Sequence, residues 1–188
     1  MATDNKKRLF IALNLPLIVK EHIKEVQDYL SSRTGGIGWV NPQSMHLTLH
    51  FLGNLTDLEE RQVIQIMQEF KGKFEVFKFN IGRINAFPNS HNPRVIFLSC
   101  EQNNSNSVYT FQKILTKELA HIGIKTDTRP WRPHITLGRV KSKENAQLDF
   151  NLSIEKKTKF NINSVELMES KLKPDGAVYK EVISVKLT

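Results

Sequence analysis

Two short runs with the same pattern, HLTL at 46–49 and HITL at 134–137, constrain the fold of this 188-residue chain more than any other feature. Each run lies in an apolar stretch of the kind that favours a β-strand. Successive side chains of a strand point to opposite faces. Each run is therefore predicted to bury its aliphatic residues in a core and to present an imidazole and a hydroxyl on the other face.

The elements predicted around the two runs repeat in order, so that each run is a strand that follows an amphipathic helix and a short polar connection. Before and around the first run, the predicted elements are strand 8–13, a helix after Pro16, strand GWV, the run itself and a helix that begins with a Thr56–Glu59 capping box. Around the second run they are a hairpin of 74–87 with 94–100, a helix from Val108 that stops at Gly123, and the run itself. The tail is predicted to form two strands, KFNINSVELMES and VYKEVISVKL, joined by the turn KPDG. This order indicates an internal duplication in an α+β protein with two lobes, each a sheet backed by helices. Because no linker separates the lobes, we expect residues 1–188 to form one compact bilobal domain.

The net charge of +8 favours a polyanionic partner. Basic residues gather around the second run and not the first, which predicts anion binding there: Arg129, Arg132, Arg139, Lys141 and Lys143. The single cysteine, Cys100, excludes an internal disulfide and a cysteine-based metal cluster. No stretch approaches the roughly 20 apolar residues that span a bilayer, and the N-terminus lacks a secretory signal pattern. We therefore expect a cytoplasmic protein without membrane association.

The chemistry that uses two imidazoles on opposite walls is proton transfer at both ends of an in-line displacement. One histidine, His46 or His134, takes a proton from the nucleophile while the other gives one to the leaving oxygen. A phosphodiester fits this arrangement, because Thr48 and Thr136 can donate to its non-bridging oxygens and nearby arginines can offset the charge of the transition state. The pattern predicts a reaction that needs no metal and no cofactor.

Strict alternation along the first strand also predicts that His50 shares a face with His46, and that Phe51 shares the leucine face. A zinc site is the main chemical alternative, since His46, His50 and His134 could be three ligands, although no carboxylate or thiol accompanies either run. Trp131 has two interpretations as well. Its indole could stack on an RNA base, or it could pack between the lobes.

The paired HLTL and HITL resemble the HxTx tetrads of the 2H phosphoesterase superfamily, and the flanking segments are similar to its RNA 2',3'-cyclic phosphodiesterases, also called 2'-5' RNA ligases. Those segments are KRLFIALNLP, WVNPQSMHLTLHFLG, FPNSHNPRVIFL, RPWRPHITLGRV and LMESKLKPDGAVYKEV, in the family's order and over nearly the whole chain. The resemblance implies a bilobal fold of two pseudo-symmetric lobes, each with an antiparallel sheet backed by helices and with the active-site cleft between them.

The resemblance also implies an activity, which is metal-independent opening of a terminal RNA 2',3'-cyclic phosphate to a 2'-phosphomonoester. His46 would donate a proton to the leaving 3' oxygen, and His134 would activate water. Thr48 and Thr136 would hold the phosphate. Arg139 matches a family arginine that contacts substrate, but strict alternation puts it on the leucine face, so this role requires a bulge or the end of the strand nearby.

Three functions remain open on the sequence. The first is the cyclic phosphodiesterase, acting as a monomer on RNA ends such as those of tRNA fragments. The second is the reverse reaction, which joins RNA halves through a 2'-5' bond at the same site. The third is a non-catalytic RNA-binding module, against which the two intact tetrads argue.

Overall fold

The computed structural model describes residues 6–103, 107–142, 148–150, 158–173 and 176–188. Most predicted elements are present, with bounds that differ by a few residues. The strands and helices are β1 (Lys7–Asn14), α1 (Leu17–Ser31), β2 (Ile37–Trp39), a 3-10 turn (Pro42–Ser44), β3 (His46–Leu55), α2 (Asp57–Glu69), β4 (Phe77–Phe87), β5 (Val95–Gln102), α3 (Ser107–His121), β6 (His134–Val140), β7 (Lys159–Ile162), β8 (Ser164–Lys173) and β9 (Gly176–Lys186). None of the described helices is long and apolar enough to cross a membrane.

The strands form one antiparallel path in the order β7-β4-β5-β6-β3-β1-β8-β9, with β2 paired to β6. Its two halves meet where β3 and β6 pair, through Leu47 and Ile135. The first lobe contains β3, β1, β8 and β9, and the second contains β6, β5, β4 and β7. The predicted α+β bilobal fold is therefore confirmed, and the two runs are the neighbouring strands at the junction of the lobes.

Local sequence explains where the helices lie. The stripe of α1 buries Val19, Ile23 and Leu30 against the sheet. At the start of α2 the predicted capping box is present: the Glu59 N–H donates to Thr56 Oγ1 at 3.3 Å, and the Thr56 N–H donates to Glu59 Oε2 at 2.7 Å. One continuous hydrophobic core contains residues of both lobes.

The tail differs from its prediction. The stretch KFNINSVELMES was expected to be one strand, but it forms β7 and β8, which separate at Asn163. Strand β7 pairs with β4 in the second lobe, and β8 pairs with β1 in the first. The buried positions change from Phe160 and Ile162 to Val165 and Leu167, so the inward face shifts by one residue where the chain crosses between lobes.

The sequence predicts a turn at KPDG, between β8 and β9. Pro174 and Asp175 lie outside the described residues. The strands on either side pair directly, from Lys173 with Gly176 to Ser164 with Lys186. The two strands on either side of the predicted turn therefore form an antiparallel pair.

Candidate active site

The two histidines and two threonines lie on one face of the sheet, where β3 meets β6. Leu47 and Ile135, which separate them in sequence, are fully buried on the other face. Antiparallel pairing through these two residues brings His46 toward Thr136 and Thr48 toward His134. We call the side that carries these four residues the histidine face.

Each histidine is oriented by a backbone carbonyl two residues before it. His46 Nδ1 lies 2.8 Å from the Ser44 carbonyl oxygen, and His134 Nδ1 lies 2.8 Å from that of Arg132. A carbonyl only accepts, so Nδ1 carries the hydrogen in both rings. The neutral ring then has its lone pair on Nε2, and only the doubly protonated ring can donate from that atom. The two imidazoles are thus held in the same tautomer.

The surroundings of both histidines favour the neutral form. Burial lowers the pKa of His134, partly offset by the hydrogen bond to Arg132. Burial also lowers the pKa of His46, and the positive charges of Lys20 and His134 lower it further against the opposing effect of the Ser44 carbonyl. A neutral His134 is suited to accept a proton. His46 can hold an extra proton only when a nearby anion raises its pKa.

A β-bulge at the last residue of the first tetrad overturns two of the face assignments. Ile11 pairs with His50 and Ala12 with Thr48, so Leu49 has no partner on β1. The extra residue reverses the alternation. His50, predicted beside His46, is instead 3% exposed on the core side, and Phe51, predicted in the core, is 65% exposed.

The buried His50 interacts with α3. The Thr116 hydroxyl donates to the Gln112 carbonyl at 2.7 Å, which leaves its oxygen to accept from His50 Nε2 at 3.2 Å. Burial lowers the pKa of His50. The zinc alternative required this ring beside His46, and that requirement is wrong. Within the described part of the chain, no group of three or more His, Cys, Asp or Glu residues could hold a metal ion.

A matching bulge lies at the last residue of the second tetrad. Ile96 pairs with Gly138 and Phe97 with Thr136, so Leu137 has no partner on β5. Arg139 is therefore turned onto the histidine face, where it is exposed opposite Val95. The bulge that a role for Arg139 required is present. It occurs at the position equivalent to that of β3, so Phe51 and Arg139 are counterparts in the two lobes.

Aromatic rings surround both imidazoles. The centroid of His46 lies 5.0 Å from Phe10 and 5.2 Å from Tyr179, and that of His134 lies 5.2 Å from Phe87 and 5.3 Å from Phe97. All four aromatic residues come from strands distant in sequence from the histidine that they contact. Strand pairing, which the pattern of one run does not reveal, brings them together.

The basic residues around the second tetrad have different surroundings. Arg129 binds Asp127 through Nε, at 2.9 Å and 3.0 Å from the two carboxylate oxygens, and this contact lowers the pKa of Asp127 to about 2. The Lys141 side chain lies against Gly38 of β2. Arg132 is exposed, and its carbonyl orients His134. Lys143 lies outside the described residues.

One cation beside the first tetrad was missed because it comes from α1. Lys20 Nζ donates to the Gln43 carbonyl at 2.8 Å, in the turn just before His46, and burial lowers its pKa while Glu166 opposes that change. The carboxylate of Glu166 is 2% exposed and accepts from the Asn14 N–H at 3.0 Å. Asn14 is the β1 partner of His46. The first tetrad therefore has a charged neighbour of each sign.

Trp131 joins the lobes. Its indole Nε1 donates to the Thr48 carbonyl at 2.7 Å, and its ring meets Tyr109 edge-on at 5.7 Å between centroids. The ring is partly buried against the core. These contacts support the packing interpretation of this residue over the base-stacking one.

Comparison with known families gives two matches that divide the chain between the tetrads. Residues 15–97 and 98–179 each match the family described as LigT like Phosphoesterase. The first segment contains the HLTL run and the second contains HITL. The internal duplication inferred from the order of elements agrees with this division.

Relatives and solved structures resemble the chain over nearly its full length. An RNA 2',3'-cyclic phosphodiesterase of Thermotoga maritima is 30% identical and covers 92% of this chain and 91% of its own. One of Methanothermobacter thermautotrophicus is 29% identical, covering 94% and 97%. A crystal structure of a Thermus thermophilus protein superposes with a TM-score of 0.82 at 26% identity, covering 95% and 97%. Apo LigT of E. coli gives 0.79 at 22%, covering 98% and 99%.

Proposed function

Because the chain belongs to the LigT-like phosphoesterase family, we propose that it hydrolyses the 2',3'-cyclic phosphate at the end of an RNA to a 2'-phosphomonoester. The names of the relatives support this substrate. The observation that carries the proposal is the pair of imidazoles, His46 and His134, on one face at the junction of the lobes, each with Nδ1 bound to a carbonyl. Such a pair can transfer protons at both ends of a displacement at phosphorus.

In the proposed mechanism, His134 Nε2 takes a proton from a water molecule as the water oxygen attacks the phosphorus. The bond between phosphorus and the 3' oxygen breaks, and His46 Nε2 gives that oxygen its proton. The product is a 2'-phosphate with a free 3'-hydroxyl. His134 ends protonated and His46 neutral, and exchange with solvent restores the starting state.

Substrate binding would supply the anion that His46 needs. The lowered pKa of His46 means that the free enzyme holds this ring largely neutral near pH 7. A cyclic phosphate carries one negative charge, and a nearby negative charge raises the pKa of an imidazole. We propose that the phosphate binds beside His46 and thereby allows it to act as the acid.

Four further residues have proposed roles in binding. Thr48 and Thr136 donate hydroxyl hydrogens to the non-bridging phosphate oxygens, since each lies across from the histidine of the other tetrad. Arg139 and Arg132, both exposed beside the second tetrad, offset the charge of the bound RNA. None of these roles requires a metal ion or a cofactor.

The broader setting is also a proposal. We propose that residues 1–188 form one bilobal domain that acts as a monomer in the cytoplasm. RNA ends with a cyclic phosphate, including those of tRNA fragments, are its proposed substrates. The positive net charge supports a polyanionic partner.

Incubation of the protein with an RNA that ends in a 2',3'-cyclic phosphate, in excess chelator, tests the proposal. We expect turnover that is unaffected by chelation and a product with the phosphate on the 2' oxygen. A 3'-phosphate product, or activity that a divalent ion restores after chelation, would contradict the mechanism. Binding without any turnover would indicate the RNA-binding module instead.

A further inference from the structure

A third bulge places an arginine on the histidine face that none of the sequence patterns indicates. Ile81 pairs with Cys100 and Ile84 with Leu98, so two residues of β4, Gly82 and Arg83, lie opposite the single residue Ser99. The two isoleucines are buried, whereas Arg83 is exposed. The bulge thus keeps Arg83 out of the core, into which strict alternation would turn it.

The strand register shows which face Arg83 occupies. Ser99 pairs with His134 in the antiparallel ladder of β5 and β6, and paired residues point to the same side. Arg83 lies across from Ser99 on the next strand, so it shares the histidine face. Two strand spacings, or about 10 Å, separate its backbone from that of His134.

The local structure fixes this position. The Ser99 hydroxyl accepts from the Arg83 N–H at 2.9 Å and donates to the Arg83 carbonyl at 3.2 Å. A Cβ at Gly82 would clash with Ser99 Oγ and would lie 3.1 Å from the Ser99 carbonyl oxygen. Glycine at 82 therefore lets the serine side chain bind the backbone of the bulge and hold Arg83 outward.

The charge of Arg83 is available for a ligand. Across residues 6–103, 107–142, 148–150, 158–173 and 176–188, no carboxylate forms an ion pair with its guanidinium. The nearest acid by register on this face is Glu101, whose partner on β4 is Asn80. Arg129, in contrast, is occupied by Asp127.

We propose that Arg83 binds the RNA phosphate that precedes the terminal nucleotide, and so makes the enzyme prefer an RNA chain to a cyclic mononucleotide. The inference rests on the proposed function. A guanidinium two strands from His134 lies to one side of the reacting phosphate, and it meets the preceding phosphate when the chain leaves the site across β5 and β4. An arginine is suited to a phosphate because its N–H groups match the oxygens in pairs.

The test compares a 2',3'-cyclic mononucleotide with a short oligonucleotide that has the same end. For Arg83→Ala we expect kcat/KM on the oligonucleotide to fall roughly tenfold, mainly through KM, as for loss of one charged hydrogen bond. Turnover of the mononucleotide should stay within about twofold of wild type. The slope of log kcat/KM for the oligonucleotide against log salt concentration should become less steep by about 0.7, the contribution of one single-strand phosphate contact.

Three matched variants sharpen the test. Arg61→Ala removes an exposed arginine from α2, away from the histidine face, and should leave kcat/KM unchanged for both substrates. Arg83→Lys should recover part of the loss because it keeps the charge. Glu101→Gln should raise kcat/KM for the oligonucleotide, since it removes the negative charge on this face.

Different results would contradict the role of Arg83 and the proposed function. Equal loss on both substrates would overturn the inference, because Arg83 would then act on the reacting phosphate or on His134. An unchanged salt slope and KM for Arg83→Ala would also overturn it. If wild-type protein turned over neither substrate, the proposed function itself would be wrong.

Discussion

The indole N–H of Trp131 donates to the backbone carbonyl of Thr48 at 2.7 Å, so the residue three positions before His134 is bonded to the other tetrad. The next residue, Arg132, provides the carbonyl that orients His134. Two adjacent residues thus connect the backbone of the first tetrad to the imidazole of the second. Strands β3 and β6 themselves share only the pairing of Leu47 with Ile135.

Loss of this hydrogen bond should reduce turnover more than binding. In Trp131→Phe a ring still packs beside Tyr109, but the donor to Thr48 is gone. We expect kcat to fall roughly tenfold, since small displacements of catalytic groups are costly, with KM changed less. Steady-state kinetics checks this. Trp39→Phe, which removes the other indole, is the control and should keep kcat within about twofold, and equal kcat losses in the two variants would count against the positioning role.

Lys20 should set part of the pH profile. Its positive charge lowers the pKa of His46, so Lys20→Met should raise that pKa. Because His46 must be protonated to act as the acid, the limb of kcat/KM where it loses its proton should move to higher pH. Lys24→Met is the control, since Lys24 lies one turn later on α1 and is paired with Asp28. A profile that is the same for Lys20→Met and wild type would show that this charge does not act on the site.

The second bulge should be intolerant of a side chain at Gly138. A Cβ there would lie 2.6 Å from Ile37 Cγ2 and 3.1 Å from the Gly38 carbonyl oxygen. Gly138→Ala should lower the free energy of unfolding by about 1–3 kcal/mol, as overpacking does. Gly38→Ala should cost less, because its closest contact is the flexible end of Lys141. Urea denaturation of both variants measures the difference, and equal costs would contradict the steric argument.

Buried histidines should make the protein less stable in mild acid. Burial lowers the pKa of His50 below its ordinary value of 6.5, so the unfolded chain binds a proton there more readily than the folded one. His46 and His134 act in the same direction. The free energy of unfolding should therefore be highest above pH 6.5 and fall as the pH decreases through the folded pKa values.

Replacement of His50 isolates its share of this effect. His50→Gln keeps a polar group near Thr116 but cannot bind a proton in this range. Denaturation at about pH 7.5 and about pH 5.5, on either side of the ordinary histidine pKa, should show a smaller difference for the variant than for wild type. An undiminished difference would assign the acid sensitivity to other groups.

The sequence predicted the parts of the site that depend on local pattern. Alternation in HLTL and HITL separated His46 and Thr48 from Leu47 correctly, because each bulge comes only at the last residue of its run, after the threonine. The Thr56–Glu59 capping box is likewise a local signal. Within these short segments, periodicity was sufficient to assign the faces of the side chains, and the capping pattern was sufficient to locate the start of α2.

The errors begin where one extra residue enters a strand. His50 and Phe51 were assigned to the wrong faces because a period of two cannot reveal the bulge at Leu49. Alternation likewise cannot predict that Arg83 is exposed, because a bulge in β4 reverses its face. Lys20 was missed for another reason, since its contact with the turn before His46 depends on how α1 packs.

Turnover of an RNA 2',3'-cyclic phosphate by His46→Ala, His134→Ala and the double variant tests the two-histidine mechanism most directly. Each single change should lower kcat by at least about 100-fold. The double variant should lose less than the product of the two, because the imidazoles act as one unit. If either single variant kept near wild-type kcat while remaining folded, acid–base catalysis by this pair would be contradicted.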